Sequence, residues 1–223
     1  MKASPVLAML ACACACALTT AHADVRDEEI ASCRTGEMVT WGDGIDHRVT
    51  GTLVFAYDPA GAPAWFSRAG VFGEIDKALR GWAPCGVKTV LLPLGQAAPA
   101  GAIRIYWADT SAHGNQAEAD PAQHRLALSL NIFKLLHERR PDYPAEDTLQ
   151  MMLSHEIGHF FGLAAHSRRC VDVMSYYTDG HGAQCSLRDP SAFRSRVEYR
   201  ASLPTACDIA RCRAINAPAA PTR

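Results

Sequence analysis

A segment in the second half of the chain, HEIGHFFGLAAHS from His155 to Ser167, is rich in residue types that bind metal ions. His155 and His159 are four residues apart, so on an α-helix both imidazoles project from one face and can share a single ion. Glu156 lies one position round the helix, where its carboxylate can reach a water on the metal rather than the metal itself. This spacing predicts a metal site with a general base beside it.

A third ligand has to come from the chain that follows this helix. Gly162 can take the left-handed conformation that ends a helix and turns the chain sharply. His166 follows on the returning segment, and it would complete three protein ligands with one open position, which is the arrangement of catalytic zinc. Asp172 and His181 are the alternative ligands if His166 points elsewhere.

Two stretches of this region, HEIGHFFGLAAH and DVMSYY at Asp172 to Tyr177, together resemble the metzincin clan of zinc metallopeptidases. The usual pattern of that clan is H-E-x-x-H-x-x-G-x-x-H. The short link between His166 and Met174 is similar to the matrixin branch and to small secreted bacterial members. In this chain, however, His166 comes one residue later than the usual pattern places the third histidine.

The extra residue falls beyond Gly162, where the chain is expected to be irregular. Within a helix, an insertion would rotate everything after it by about 100°, whereas a loop can take it up as a small bulge. We therefore expect the helix to end by about Leu163. Ala164 and Ala165 should then form a slightly wider turn. His166 should then still reach the metal.

The resemblance implies one catalytic zinc ion, bound by His155, His159 and His166, with Glu156 as the catalytic base. The implied activity is that of a secreted zinc-dependent endopeptidase, which hydrolyses peptide bonds through a zinc-bound water activated by this glutamate. Two alternatives stay open. One is a catalytically inactive metzincin-fold module that binds zinc, which the irregular spacing of His166 motivates, and the other is a zinc amidase acting on a non-protein amide.

Two further residues take their interpretation from the same resemblance. Met174 would lie in a tight turn beneath the metal, where its role is packing rather than ligation. Tyr176 occupies the position at which astacin-like and serralysin-like members carry a tyrosine that can touch the zinc. An ordinary buried aromatic fits Tyr176 nearly as well.

The apolar pattern predicts the elements that must position these residues. Strands are expected at residues 52–58, 87–93 and 102–109, and a helix at 71–82. The metal-binding helix is expected to have Glu146 and Asp147 in its first turn. Apolar residues alternate strictly from Arg125 to Asn131, which predicts a half-exposed strand at a sheet edge. The resemblance implies that an extended protein or peptide substrate pairs antiparallel with that edge strand.

The segment from Asp109 to His124 has no apolar periodicity, and we interpret it as a long surface loop. With His113 and Asp120 it could hold a structural calcium or a second zinc ion, although solvated loop residues are the simpler interpretation. His47, His137 and the run GDGID at residues 42–46 are interpreted as surface features.

The order of elements, with the resemblance, implies an α+β, metzincin-like fold. It would comprise a mixed twisted sheet with an antiparallel edge strand, a zinc-binding active-site helix, and a small, mostly irregular or helical C-terminal subdomain after the glycine turn. Residues 24–223 would form a single metallopeptidase catalytic domain, with an upper subdomain to about residue 162 and a lower subdomain at 163–216.

The first 23 residues have the features of a signal peptide, with a basic start, an apolar core and the small residues AHA before a cleavage site after Ala23. A lipoprotein signal that uses Cys12 is the alternative. The mature protein would be exported, either secreted or periplasmic, where its six cysteines are expected to form three disulfides. Their pairing stays open, with Cys170–Cys185 favoured. These cysteines are Cys33, Cys85, Cys170, Cys185, Cys207 and Cys212.

The formal net charge of -1 indicates neither a nucleic-acid footprint nor a polybasic membrane surface, since both need clustered positive charge. No segment after the signal peptide is apolar enough to span a bilayer. We therefore expect no nucleic-acid partner and no membrane span. The chain is also expected to be a monomer.

Overall fold

The computed structural model describes residues 24–109, 117–140, 144–193 and 198–218. The expected signal peptide at residues 1–23 lies outside the described residues, and so does His113. No helix in these four ranges is both long and apolar enough to cross a membrane.

Five strands form one mixed sheet. They are β1 (Thr52–Tyr57), β2 (Lys88–Leu91), β3 (Ile103–Ala108), β4 (Ala117–Asp120) and β5 (Arg125–Ser129). The spatial order is β2, β1, β3, β5, β4. The first four of these run parallel to one another, and β4 pairs antiparallel with β5 at the edge. The α+β class predicted from sequence is confirmed, and the edge strand of the mixed sheet is antiparallel.

The identity of that edge strand was predicted wrongly. The expected edge strand, Arg125 to Asn131, corresponds to β5, which lies between β3 and β4 and is buried from Leu126 to Ser129. It also ends at Ser129, whose hydroxyl accepts a hydrogen bond from the Ile132 backbone N–H and so caps a helix. The true edge, β4, lies within the segment expected to be a loop.

The helices of the described residues are α1 (Val25–Ala31), α2 (Arg68–Trp82), α3 (Leu130–Arg139), α4 (Ala145–Phe160), α5 (Pro190–Phe193) and α6 (Ala206–Asn216). The predicted helix at 71–82 is therefore confirmed with three more residues at its start. In contrast, α1 and α3 were not expected, and the first two residues of α3 were assigned to the strand predicted from Arg125 to Asn131.

The metal-binding helix of the sequence prediction is α4, and it runs through the core. Every residue from Thr148 to Gly158 is buried, because the helix packs against both α2 and the sheet edge. Glu146 and Asp147 lie in its first turn, where their negative charges suit the positive end of the helix dipole. The indole N–H of Trp82 on α2 donates to the Ser154 carbonyl oxygen at 2.8 Å and fixes the two helices in register.

Three disulfides cross-link the described residues. The pairs are Cys33–Cys207, Cys85–Cys212 and Cys170–Cys185. The favoured Cys170–Cys185 pairing is confirmed, and it closes the segment that follows the histidines. The other two bridges both end on α6. Three disulfides indicate an extracellular or otherwise oxidising compartment.

A bidentate ion pair ties the loop after α1 to the chain before α5. Arg188 donates from Nε and Nη2 to the two carboxylate oxygens of Glu37, each at 2.7 Å, and the Arg34 backbone N–H adds a third hydrogen bond. The Arg188 hydrogen bond is the main reason that the pKa of Glu37 falls from 4.5 to about 2. The carboxylate is therefore more easily ionised in the folded chain than in the unfolded one.

Replacing this carboxylate should lower stability by an amount that depends on pH. We expect Glu37→Gln to lower the free energy of unfolding at pH 7 by about 3 kcal/mol at most, the equivalent of the pKa shift. Because the folded pKa is depressed, the difference from wild type should be complete above about pH 4.5 and should shrink as pH falls toward 2. Denaturant unfolding across this range checks it. Glu138→Gln, which removes an exposed carboxylate on α3, should change stability little.

Candidate metal centre

Three histidine side chains converge at the C-terminal end of α4. His155 and His159 project from the helix four residues apart, and His166 comes back to them from the following loop. The ring centroids are 5.1 Å apart in each of the three pairs. One nitrogen from each ring lies within 4.8 Å of the others, so the group could hold a metal ion.

The hydrogen bonds of the three rings determine which nitrogen faces the centre. Each Nδ1 atom lies beside an oxygen acceptor. His155 Nδ1 lies 2.7 Å from the Val173 carbonyl oxygen, and His159 Nδ1 lies 2.8 Å from that of Leu163. His166 Nδ1 lies 2.6 Å from Asp43 Oδ2. A carbonyl oxygen can only accept, so a neutral ring beside it carries its proton on Nδ1. Each Nε2 then keeps a lone pair for a metal.

The protonation state suits metal binding as well. Burial lowers the pKa of all three imidazoles, to about 4 for His159, and their mutual repulsion adds to this effect for His155 and His159. The rings are therefore neutral near pH 7. His166 Nε2 is buried and has no hydrogen-bond partner among the described residues. A buried polar atom without a partner is costly, and a metal ion at the centre of the three rings would satisfy it.

The third histidine is held by a segment from before the first strand. We call residues Thr40 to His47 the N-terminal strap. Asp43 accepts from both the backbone N–H and the ring of His166, at 2.9 and 2.6 Å. The Trp41 N–H donates to the His166 carbonyl at 3.0 Å. Although burial acts to raise the pKa of Asp43, these bonds to His166 bring it below its usual value. Of the GDGID run, Asp43 and Asp46 thus contact the histidine loop. Ile45 and His47 are exposed, as expected of surface features.

The same strap accommodates the extra residue of the histidine loop. α4 ends at Phe160, before Leu163, as expected from the sequence. Beyond the turn, the Ala165 N–H donates to Asp46 at 3.0 Å and the Ala165 carbonyl accepts from Arg211 on α6. Asp46 and Arg211 are themselves joined by two hydrogen bonds of 2.6 Å. The backbone N–H and C=O of Ala165, in the widened turn, are thus both satisfied by one ion pair.

Glu156 lies beside the three histidines and faces the sheet edge. Its Oε2 accepts a hydrogen bond from the Ala119 backbone N–H on β4 at 2.8 Å, and the residue is 8% exposed. Burial raises its pKa to about 7, against the lowering effect of the Ala119 bond and with a smaller contribution from the Glu118 charge. The carboxylate therefore connects α4 to the backbone of the edge strand.

Met174 and Tyr176 follow Val173, whose carbonyl oxygen lies 2.7 Å from His155 Nδ1. Met174 is fully buried, and its side chain packs so closely on α4 that a Cβ at Gly158 would overlap it. The Tyr176 ring stacks on His166 with centroids 3.7 Å apart and is 46% exposed. Tyr176 is therefore not an ordinary buried aromatic, and it shields one side of His166 from solvent.

The alternative ligands do not join the histidines. Asp172 is buried elsewhere, where it accepts hydrogen bonds from Ser167 at 2.6 Å and Arg169 at 2.9 Å, and His181 lies in an exposed loop. The expected second-metal loop is only partly described. In the described part, Asp120 is paired with Arg125 at 3.0 Å.

Comparisons with known proteins assign no family and no function to the chain. No family model matches the chain, and no curated protein matches it in sequence. Among similar solved structures, a chain from the GM1 bound form of the ECX AB5 holotoxin has a TM-score of 0.46 at 13% identity. That match covers 74% of this chain and 79% of the other chain. A likeness of this size carries no argument about function.

The glycine turn provides a test of the geometry around the histidines. Gly162 has φ of 91°, and a Cβ there would overlap the His47 carbonyl oxygen of the strap. We expect Gly162→Ala to destabilise the protein by more than the roughly 1–2 kcal/mol of left-handed strain alone. Gly180→Ala is the matched control, because Gly180 also has positive φ but open space around it. Equal losses for both variants in thermal unfolding would contradict the proposed packing of the strap.

The contact between Asp43 and His166 provides a second test. Asp43→Asn should weaken zinc binding by about 10- to 100-fold, since the acceptor that orients a ligating histidine is lost or weakened. Competition with a chromogenic chelator measures the zinc dissociation constant. Asp76→Asn, which removes a carboxylate from the surface of α2, should leave that constant unchanged. If Asp43→Asn binds zinc as tightly as wild type does, Asp43 does not orient the ligand.

Proposed function

We propose that the protein is a secreted zinc-dependent endopeptidase of the metzincin type. The observation that carries the proposal is the convergence of three neutral histidines, each with Nδ1 occupied and Nε2 directed inward, beside a buried glutamate. Three imidazoles with an open fourth position form a donor set typical of catalytic zinc. The three disulfides support export.

His155, His159 and His166 would hold the zinc ion. Bound there, zinc would supply a Lewis acid that polarises the scissile carbonyl and makes a water molecule nucleophilic at neutral pH. The protein contributes rigid placement: two ligands come from one buried helix, and the third is fixed by Asp43. Such preorganisation reduces the cost of reaching the transition state.

Glu156 would act as the catalytic base. Its carboxylate accepts one hydrogen bond, from Ala119, through Oε2, and Oε1 has no hydrogen-bond partner among the described residues. We propose that it takes a proton from the attacking water and returns it to the leaving amine. Because Ala119 belongs to β4, the base and the sheet edge are joined directly.

The substrate would lie along β4. This strand comes last in the sheet order of the described residues, and its Ala119 N–H donates to Glu156. An extended peptide can add to such an edge through main-chain hydrogen bonds, whatever its side chains are. The edge strand of the proposed cleft is therefore β4 rather than the β5 segment expected from the sequence.

A single substitution separates zinc binding from turnover. Purified wild type should contain one zinc ion per chain and cleave an unfolded protein, with activity lost on chelation and restored by zinc. Glu156→Gln should retain zinc and lose about 10²- to 10⁴-fold in kcat, because it cannot accept the proton. Metal analysis and a fluorescent casein assay measure the two properties, and Glu138→Gln on the surface of α3 serves as the control.

The outcomes distinguish the alternatives. Zinc without cleavage of any peptide would favour a binding module, and cleavage restricted to non-protein amides would favour an amidase. A wild-type chain that binds no zinc would exclude all three.

A further inference from the structure

The main-chain groups of β4 alternate in direction. The Ala119 N–H donates to Glu156 on α4, so it points away from the neighbouring strand β5. In an antiparallel pair, residues alternate between bonding to the partner strand and facing outward. Ala117, two residues earlier, therefore also directs its N–H and C=O outward, while Glu118 between them bonds to β5. The outward groups of Ala117 and the Ala119 carbonyl can accept a further strand.

The side chains of β4 alternate as well. Ala117 is 5% exposed and belongs to the core, whereas Glu118 projects from the opposite face and is exposed. Residues that lie directly opposite each other on adjacent strands have their side chains on the same face. A peptide added to the outside of β4 would therefore place one side chain beside the Glu118 carboxylate.

The Glu118 charge is not compensated within the described residues. Its direct neighbour on β5 is Ala127, and Arg125, the cation of that strand, is paired with Asp120 at 3.0 Å. Glu118 joins no ion pair in the described ranges. Glu118 directly precedes Ala119, whose backbone N–H donates to Glu156 at 2.8 Å, so the two carboxylates belong to adjoining parts of β4 and α4. Glu118 therefore contributes negative charge to the same end of the cleft.

We propose that Glu118 is a specificity-determining residue that favours lysine or arginine at the substrate position opposite it on the edge of β4. This inference rests on the proposed function for the position of the substrate. The substrate class is thus an extended peptide with a basic residue close to the scissile bond. Cross-strand pairs of opposite charge are modest in strength, so the expected preference is about two- to fivefold.

A matched peptide series tests the proposal. Each peptide carries lysine, glutamine or glutamate at one position in turn on both sides of the scissile bond, in an otherwise identical uncharged sequence. For the zinc-loaded wild type, we expect kcat/KM to be about two- to fivefold higher for lysine than for glutamate at one position, mainly through KM. The preference should weaken at high salt, because screening acts on exposed charges.

Two variants assign that preference to one side chain. Glu118→Gln should flatten the lysine-to-glutamate ratio at that position, and Glu118→Lys should reverse it. Because the ratio is taken within each variant, a general loss of activity does not affect it. Glu138→Gln should leave the ratio as in wild type. Equal preference for all three residues in wild type, or an unchanged ratio in both Glu118 variants, would overturn the proposal.

A binding measurement separates this proposal from the proposed activity. Fluorescence anisotropy with the same labelled peptides measures their dissociation constants on the zinc-loaded Glu156→Gln chain, with and without Glu118→Gln. Suppose that wild type cleaves no peptide, and that peptide binding depends on charge only while Glu118 is present. This result would support the role of Glu118 and overturn the endopeptidase activity. Absence of any charge-dependent binding at this edge would overturn the role of Glu118, even if wild type is an active peptidase.

Discussion

The candidate site depends on one constraint: each histidine must donate a hydrogen bond from Nδ1 so that Nε2 faces the shared centre. The three acceptors belong to three different segments, the turn containing Met174, the turn at Gly162 and the N-terminal strap. None of these segments has regular secondary structure, so each depends on contacts from elsewhere in the fold. The arrangement of the histidines is therefore a property of the whole chain rather than of α4 alone.

Much of this support comes from α6. Asp208, at its N-terminus, accepts from the Val173 N–H at 2.9 Å and so holds the carbonyl that orients His155. One turn further on, Arg211 holds Ala165 and Asp46, next to the third ligand. Burial, and after it the nearby carboxylate of Asp172, raise the pKa of Asp208 above its usual value. Two disulfides attach α6 to distant segments, and this fixes the position of the polar groups it contributes.

The sequence predicted the parts of the site that local spacing determines. The four-residue repeat of His155 and His159 and the turn at Gly162 are local, and both were found as expected. The edge strand was not, because the alternating apolar pattern of β5 continues past Ser129 into α3, and AEAD in β4 has little apolar content. Asp43 was missed because its partner, His166, is 123 residues away, and short-range patterns carry no signal over that distance.

The position of the strap in the chain also bears on the order in which the protein can assemble. Thr40 to His47 leave the ribosome well before α4, yet the strap has its partners only after the Gly162 turn and α6 have been made. Closing so long a loop is slow and costs entropy. A partly synthesised chain can therefore present His155 and His159, but the third ligand is oriented only once the strap meets the segment that follows Gly162.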